Sequence, residues 1–341
     1  MATILFVIFL ILSVIAIFSV REYKIRISIY FCIGVMFILL AGLWDGSADH
    51  INYVDKYHEI IKGDHELIEV SFIFFSYLSY WILGNALVLF IIYAFIGVSL
   101  KFVAIKQLSN LWFLSIIIYL GNFYILQEMT QIRVGVATGF FLLSIKPIYE
   151  RDWKKFLLFF GFAFLFHYSA LIMLPLWFLP SKSNKIWLIV SIPIAYVIYF
   201  LGVDLFSISI PIPAIQEKLD IYNSLQGLGT DWMDEINVFN LVFLVKVVIF
   251  YFLLWKYDTI AKHNKYFPIL MRVYCLSLFV FPALGAFPVA AFRVSEFYGI
   301  VEIILYPLLI YSTKPARYAV PVVVVLGGIL LIISQQNLFV K

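Results

Sequence analysis

The sequence predicts an all-α membrane protein, a polytopic bundle of transmembrane helices. Of its 341 residues, 64% are hydrophobic and 13% are charged, and the mean hydropathy is +1.02. Soluble domains contain roughly 45–50% apolar and about 25% charged residues, so this chain has too little polar surface to fold in water. Its apolar residues form continuous runs, such as 27–44 and 156–180, whereas barrel strands alternate apolar and polar residues. With a barrel excluded, α-helices remain as the structures that satisfy their own backbone hydrogen bonds within a bilayer.

The apolar runs delimit the helices and form one integral membrane domain over residues 1–341. A run of roughly 17–25 apolar residues can cross a bilayer, which gives about ten membrane segments here. Residues 70–83 form an aromatic, amphipathic approach to the membrane. The candidate segments lie near 2–20, 27–44, 84–103, 111–127, 132–146, 156–180, 186–203, 238–255, 266–283, 294–312 and 319–335.

The basic residues orient these segments, because short connections rich in Lys and Arg stay in the cytoplasm. Arg21, Lys24 and Arg26 place the first connection inside and the N-terminus outside. Residues 45–69 then form an extracytoplasmic loop with seven carboxylates and two lysines. Further inside connections are marked by Lys101 and Lys106, by Lys146, Arg151, Lys154 and Lys155, by Lys256, Lys262 and Lys265, and by Lys314 and Arg317.

The segment 156–180 fits the charge pattern in two ways. Lys182 and Lys185 after it are typical of a cytoplasmic connection, but so are the basic residues before it. Either the segment is re-entrant, with His167 near its apex, or the two lysines lie outside and a half-crossing lies within 204–238. Re-entrant backbone is tolerated where it is buried in protein or lines a cavity. We favour the re-entrant interpretation, which makes 204–238 a second extracytoplasmic loop.

One polar cluster lies at the predicted outer end of two helices, in QEMTQIRVGVA. It contains Gln127, Glu128, Gln131 and Arg133. A polar turn would account for the first three residues. Arginine at such a place has a natural anionic ligand in a diphosphate, because the guanidinium fork matches phosphate oxygens and stays charged.

Other ionisable residues interrupt later apolar segments, where such residues are rare and usually functional. His167 lies in FLFHYSAL, and Arg293 and Glu296 share a helical face by their i,i+3 spacing in AFRVSEFYG. A buried core histidine and a local ion pair are the simpler interpretations. Lys246 and Glu302 form either an intramembrane ion pair between two helices or part of a transport pathway.

The acidic loop 45–69 contributes further candidates on the same predicted face. Asp49 is a candidate to deprotonate or orient a sugar hydroxyl. Tyr53 and Tyr57 either stack on sugar faces or belong to the aromatic belt at the membrane interface. The loop also contains three histidines, whose spacing with the nearby aspartates matches no tight metal signature, so we predict no catalytic metal there. A divalent cation is an alternative for His50, His58, His65, Asp49 and Asp55.

Short stretches of the sequence, taken in their order along the chain, resemble those of the EpsG-type, Wzy-like bacterial polysaccharide polymerases. The resemblance covers most of the chain and departs from the family at one point, because members often carry an arginine before the early Asp loop and GLWDGSAD has none. If that arginine contacts diphosphate in relatives, this chain uses other arginines or binds differently. The matching stretches are SADHINYVDKYH (Asp49, Tyr53, Tyr57), Glu69 before VSFIFF, QIRVGVA (Gln131, Arg133), FHYSAL (His167) and FRVSEFYG (Arg293).

The resemblance implies a multi-pass glycosyltransferase of the bacterial inner membrane whose active face is extracytoplasmic. It would join undecaprenyl-diphosphate-linked oligosaccharide repeats, with a sugar hydroxyl attacking the anomeric carbon of the growing chain and undecaprenyl diphosphate leaving. No cofactor is implied, and no nucleotide-binding signature is present in the sequence. The implied partners are the lipid-linked oligosaccharide, the bilayer, and export and chain-length-control proteins, with no nucleic acid.

The resemblance also assigns roles to the candidate residues. Arg133 and Arg293 would hold the diphosphate as negative charge develops on it. His167 is the favoured base, since imidazole titrates near neutral pH, and Asp49 is the alternative. The full predicted set is His167, Asp49 and Glu69 as catalytic residues, with Arg133, Arg293, Gln131, Glu296, Tyr53 and Tyr57 binding substrate.

Two other classes of function remain as alternatives. A flippase for lipid-linked oligosaccharides would have paired halves with interrupted helices and cationic residues along a central cavity. No such repeat is visible in the sequence, although Lys246 and Glu302 fit this class. A multi-pass O-acyltransferase would also use intramembrane His and Arg, but its usual early His–Arg pattern is missing.

Overall fold

The computed structural model describes residues 1–18, 22–65, 68–180, 185–202 and 236–339. Every regular element within those ranges is helical, which confirms the predicted fold class. The chain is a polytopic helical membrane protein. Within the same ranges, six helices are long and apolar enough to cross a bilayer: Tyr23–Gly42, Leu87–Leu108, Trp112–Thr130, Ile132–Glu150, Pro288–Ser312 and Arg317–Gln336.

The elements follow the predicted apolar runs closely. Residues 45–69, predicted as a loop, contain a helix, whereas 204–235 of the second predicted loop lie outside the described residues. In order, the elements are α1 Ala2–Phe18, α2 Tyr23–Gly42, α3 Ala48–Ile61, α4 Val70–Leu83, α5 Leu87–Leu108, α6 Trp112–Tyr119 continuing as a π-helix Leu120–Thr130, α7 Ile132–Glu150, α8 Trp153–Phe166, a 3₁₀-helix Tyr168–Phe178, α9 Lys185–Phe200, α10 Leu241–Trp255, α11 Tyr257–Ala261, α12 Phe267–Ala283, α13 Pro288–Gly299, α14 Glu302–Leu305, 3₁₀-helices Tyr306–Ser312 and Ala316–Ala319, and α15 Val320–Phe339.

The chain forms two compact units. The first consists of Met1–Leu179, Asp258–Leu270 and Ile300–Lys341, and the second of Pro180–Tyr257 and Met271–Gly299. The single membrane domain over residues 1–341 stays a prediction.

In the first unit, α5 is the central helix and packs against α2, α4 and α7. Aromatic side chains fill the contacts, and their hydroxyls donate to backbone carbonyls. Tyr30 donates to the Phe102 carbonyl at 2.7 Å, and Tyr124 donates to the Phe37 carbonyl at 2.6 Å. A buried hydroxyl without a partner is costly in an apolar interior, so these hydrogen bonds fix the register between the helices.

The segment that begins at α8 returns to its starting point. Helix α8 ends before His167, and the 3₁₀-helix Tyr168–Phe178 that follows packs back against α8. Arg151, at the start of the segment, donates to the carbonyls of Trp177 and Leu179 at its end. The ring of Phe156 lies 5.4 Å from that of Trp177. This hairpin, with His167 at its apex, is the arrangement that the re-entrant interpretation of 156–180 predicts.

Two helices of the first unit cross at glycines. A Cβ atom added at Gly121, in the π-helix, would overlap the backbone carbonyl oxygen of Gly327 in α15. It would also lie 3.3 Å from the Cβ atom of Leu330. Small residues at such crossings let membrane helices approach closely and gain dispersion contacts.

Gly121→Ala is therefore expected to destabilise the protein by about 1–3 kcal/mol, because the obstructing atom is backbone and cannot turn aside. The matched control is Gly161→Ala in α8, where an added Cβ meets nothing within 4 Å. That change should leave stability unchanged or raise it, since alanine favours a helix interior by about 0.5–1 kcal/mol over glycine. Thermal unfolding in detergent compares the two. Equal midpoints would contradict the tight crossing.

The second unit is held by aromatic and polar contacts of its own. Phe243 of α10 stacks on Phe281 of α12 with ring centroids 4.6 Å apart. The Ser277 hydroxyl of α12 donates to the Ser295 carbonyl of α13 at 2.7 Å. The Tyr196 hydroxyl of α9 donates to the Val238 carbonyl at 2.9 Å. Among the described residues of this unit, these contacts join α10, α12 and α13 and connect α9 to the turn before α10.

The use of Lys101 as a marker of a cytoplasmic connection was wrong. Helix α5 extends to Leu108, past the predicted end near residue 103, and Lys101 lies inside it with 0% of its surface exposed. Its ammonium pairs with the carboxylate of Glu128. The positive-inside rule counts basic residues near helix ends, and a lysine neutralised within the bundle does not report orientation. Lys106, in the last turn of α5, remains as the basic residue of that connection.

Candidate active site

Glu69 is the central residue of the candidate site. It immediately precedes α4, where its backbone is extended (φ −66°, ψ 140°), and only 1% of its surface is exposed. A carboxylate so deeply buried needs partners, because desolvation of a lone charge costs several kcal/mol. Glu69 has two such partners, one on each carboxylate oxygen.

Arg133 is the first partner. It lies in the first turn of α7, and its Nη1 donates to Oε2 of Glu69. The guanidinium carbon also lies 5.4 Å from the centre of the Tyr53 ring and 5.5 Å from that of Phe72. Arginine contacts with aromatic faces are favourable, and more so where water is excluded. Arg133 is thus fixed by a carboxylate and two rings, and its Nε is buried with no hydrogen-bond partner among the described residues.

His167 is the second partner. Its backbone is extended (φ −157°, ψ 126°) at the break between α8 and the following 3₁₀-helix. Nδ1 lies 2.8 Å from Oε1 of Glu69. The apex of the α8 hairpin therefore brings the imidazole to a carboxylate 98 residues away in the sequence.

The electrostatics of Glu69 determine which nitrogen of His167 carries a proton. Burial alone would raise the pKa of Glu69, but the hydrogen bond from His167 and the charge of Arg133 together lower it to about 2. The side chain is then a carboxylate, which accepts hydrogen bonds and donates none. Nδ1 of His167 must be the donor, so in the neutral ring the basic lone pair is on Nε2.

Helix α3 contributes Tyr53 to this site. Tyr53 is buried beside the Arg133 guanidinium, and Asp49 lies one helical turn before it, half-buried. Tyr57 follows one turn later, and its buried hydroxyl has no hydrogen-bond partner among the described residues. The structure therefore brings Glu69, Arg133, His167 and Tyr53 together. It places Asp49 and Tyr57 on the same helix as Tyr53.

Gln131 has a backbone role in this region. It is the non-helical residue (φ −93°, ψ 60°) between the π-helix and α7, and its carbonyl accepts from the amide of Gly135 at 2.9 Å. The break at Gln131 starts a new helix, so the first turn of α7, which includes Arg133, is directed independently of the π-helix before it.

Arg293 and Glu296 belong to the second compact unit. Both lie on α13, as their spacing predicts, with Arg293 exposed and Glu296 half-buried. Lys246 and Arg293 are the two cations whose charges act on Glu296. Glu302, in the first unit, accepts from Asn122 at 2.5 Å, and its suggested pairing with Lys246 stays a prediction. The predicted substrate-binding roles of Arg293 and Glu296 stay predictions.

The histidines of α3 and the loop after it are spread out. His50 stacks on Phe90 with ring centroids 4.4 Å apart, and Nε2 of His65 lies 3.3 Å from the Tyr77 hydroxyl. Among the residues with described coordinates, no three His, Cys, Asp or Glu side chains are grouped as metal ligands would be. The alternative of a divalent cation at these histidines gains no support.

Sequence reasoning missed one part of this region, the buried pair of Lys101 and Glu128. The signal was available, because Glu128 lies in the same cluster as Arg133 and Lys101 interrupts a run of apolar residues. It was missed because each residue was also close to a predicted helix end, where a charge needs no partner.

Comparison with known proteins places the chain in a family. No solved structure matches it. It is 24% identical over 319 residues to the amylovoran biosynthesis protein AmsC of Erwinia amylovora, an alignment that covers 87% of this chain and 82% of AmsC. The family model described as EpsG family matches residues 27–338, so the chain is a member of the EpsG family.

Proposed function

We propose that this protein is a polysaccharide polymerase, a membrane glycosyltransferase that joins lipid-diphosphate-linked oligosaccharide repeats. The observation that carries the proposal is the Glu69 carboxylate that binds both His167 and Arg133. It combines a base whose tautomer is fixed with a cation suited to a diphosphate, and these are the two groups that the transfer needs. The EpsG family and the name of AmsC, a protein of amylovoran biosynthesis, support a role in polysaccharide biosynthesis.

In the proposed reaction, Nε2 of His167 takes the proton of the acceptor hydroxyl. The hydroxyl oxygen forms a bond to the anomeric carbon of the growing chain, and the bond from that carbon to the diphosphate oxygen breaks. The lipid diphosphate leaves with the electron pair. Glu69 stabilises the imidazolium that forms, as a carboxylate does for the histidine of a hydrolase triad.

Arg133 would act on the leaving group. One of its nitrogens is bound to Glu69, but an arginine has five N–H donors, and the buried Nε has no partner among the described residues. The Arg133 side chain is 19% exposed, so a phosphate oxygen can accept from donors that Glu69 does not occupy. The diphosphate gains this interaction most strongly as negative charge develops, which lowers the barrier.

The carrier and its location follow from the same proposal. A glycosyl donor energised by a lipid diphosphate needs no nucleotide, and undecaprenyl diphosphate is the carrier that the family resemblance implies. The charge pattern favours the outer face of the bacterial inner membrane for the site, next to the acidic residues of α3. Export and chain-length-control proteins would then receive the product on that face.

Arg133→Ala in the native host should stop production of long chains and leave single lipid-linked repeats to accumulate. The reason is the loss of the cation that stabilises the leaving diphosphate, an effect of roughly 100-fold or more for groups of this kind. Gel analysis of polymer and extraction of lipid-linked sugars measure both products. Arg293→Ala tests in the same way the role that the resemblance gives to Arg293.

The control is Arg317→Ala, which removes an exposed arginine outside the proposed site and should leave the chains unchanged. An unchanged chain-length distribution in Arg133→Ala, with the protein present in the membrane, would contradict the proposal. The leaflet of the accumulated repeats separates the alternatives. A polymerase variant leaves them on the outer leaflet, whereas loss of a flippase strands them on the cytoplasmic leaflet.

A further inference from the structure

We propose that Lys101 and Glu128 are positioning residues, which hold the first turn of α7 and thereby set the place of Arg133 for the transfer reaction. The inference rests on the proposed function and assigns a role to two residues that neither the sequence motifs nor the proposed chemistry uses.

The pair is fully enclosed by the protein. The side chains of Lys101 and Glu128 are 0% and 1% exposed, and the ammonium of Lys101 binds Oε1 of the carboxylate. Tyr119 lies nearby, with the centre of its ring 5.8 Å from the ammonium. Charges inside a membrane bundle are expensive unless they are paired, and where they persist they are usually functional.

The pair is connected to Arg133 through the backbone. Nζ of Lys101 also donates to the carbonyl of Gly135 at 2.6 Å, and Gly135 follows Arg133 by two residues. Across the break at Gln131, the Thr138 hydroxyl of α7 donates to Oε1 of Gln127, which lies in the π-helix, at 2.8 Å. The side chains thus tie the end of the π-helix to the first turns of α7 across a residue that is not helical.

Glycines make this arrangement tight. A Cβ atom at Gly97 of α5 would overlap Oε2 of Glu128, and one at Gly139 of α7 would lie 2.8 Å from the Cβ atom of Leu100. Gly135 is equally close, since its Cβ would overlap the carbonyl oxygen of Gln127. The carboxylate therefore occupies a space that only glycines leave open between α5 and α7, and it has little room to move.

An apolar pair of similar volume would hold two helices together at least as well, because it avoids the desolvation of two charges. The ammonium of Lys101 adds a specific hydrogen bond, because it donates to the carbonyl of Gly135. That bond fixes the rotation of α7 about its axis and its position along that axis relative to α5. Arg133 must contact Glu69 and a diphosphate at once, and a displacement of about 1 Å in such a group costs up to 100-fold in rate. This need accounts for a charged pair in place of an apolar one.

The test removes both charges together, with Lys101→Met and Glu128→Gln in one protein. We expect wild-type amounts of protein in the membrane, with a roughly 10- to 100-fold loss of long chains and an accumulation of single lipid-linked repeats. Thr138→Val is a second variant, which loosens the same break without a change of charge, and it should produce a smaller loss of the same kind. Glu302→Gln is the control, a buried carboxylate that binds Asn122 and has no role in the proposal.

A positioning role predicts a coupling that a structural role does not. Arg133→Lys should lower chain production strongly in the wild-type background and much less in the background of Lys101→Met and Glu128→Gln, because the cation is already misplaced there. The inference would be overturned if Arg133→Lys lowered chain production by the same factor in both backgrounds. Full chain production in the variant with Lys101→Met and Glu128→Gln would also overturn it. If Arg133→Ala itself has no effect, it is the proposed function that fails.

Discussion

Glu69→Gln should have one of the largest effects on activity of any single change in the site. The glutamine is nearly the same size, so the expected loss of long chains, about 100-fold or more, comes from the missing charge. Without a carboxylate, Nδ1 of His167 is no longer held as the donor, and the developing imidazolium is not stabilised. The same change leaves the guanidinium of Arg133 buried beside a neutral amide, with no counter-charge at its Nη1.

The chain offers a graded comparison for this prediction. Glu69→Asp keeps the charge but shortens the side chain by one methylene, so one carboxylate cannot reach both Arg133 and His167 as it does now. Its activity should fall between the wild type and Glu69→Gln. His167→Ala should resemble Glu69→Gln, and the two together should be little worse than either, because groups that act as a unit are not additive.

The measurement is the amount of polymer relative to lipid-linked single repeats, in a host that lacks its own copy of the protein. Western blots of the membrane fraction control for loss of protein, because Glu69→Gln leaves the Arg133 guanidinium without its counter-charge. Wild-type polymer from Glu69→Gln would show that the carboxylate has no part in the reaction. Glu69→Gln that is active while His167→Ala is inactive would remove Glu69 alone from the proposed mechanism.

The sequence predicted the members of this site but not its centre. Glu69, Arg133 and His167 are all in the predicted set, because Glu69 and Arg133 lie beside apolar runs, His167 interrupts one, and each falls in a stretch that resembles the family. Their mutual contacts depend on how α4, α7 and the α8 hairpin pack, and no local pattern encodes a contact across 98 residues. From the sequence, a diphosphate was the predicted anionic ligand of Arg133. In the structure, the guanidinium also forms an ion pair with Glu69 of the protein itself.

The membrane helices were predictable for a different reason. A bilayer requires each crossing to satisfy its own backbone, so length and composition are enough to find α2, α5 and α7. The charge pattern was less informative where a basic residue is neutralised by a partner. Lys101 shows this, since its sequence position near the end of an apolar run is typical of a connection and its contacts are those of the core.

The largest expected effect on stability comes from breaking the pair of Lys101 and Glu128 on one side only. Lys101→Met removes the ammonium and leaves the carboxylate of Glu128 buried and uncompensated, which typically costs about 3–5 kcal/mol. Glu128→Gln should cost a similar amount, because it leaves the ammonium alone. Both single variants should give lower yields in the membrane and lower unfolding midpoints in detergent than the wild type.

The double variant and a surface pair provide the controls for that effect. Lys101→Met together with Glu128→Gln leaves no unpaired charge, so most of the lost stability should return. Lys155→Met breaks the exposed pair with Asp152, which has an N–O distance of 2.8 Å and a lysine side chain that is 67% exposed. A solvated pair of this kind contributes little to stability, so its loss should hardly move the midpoint. If Lys101→Met were as stable as Lys155→Met, Glu128 would have to take up a proton or find another cation, and the pair would not be the anchor of α5 and α7.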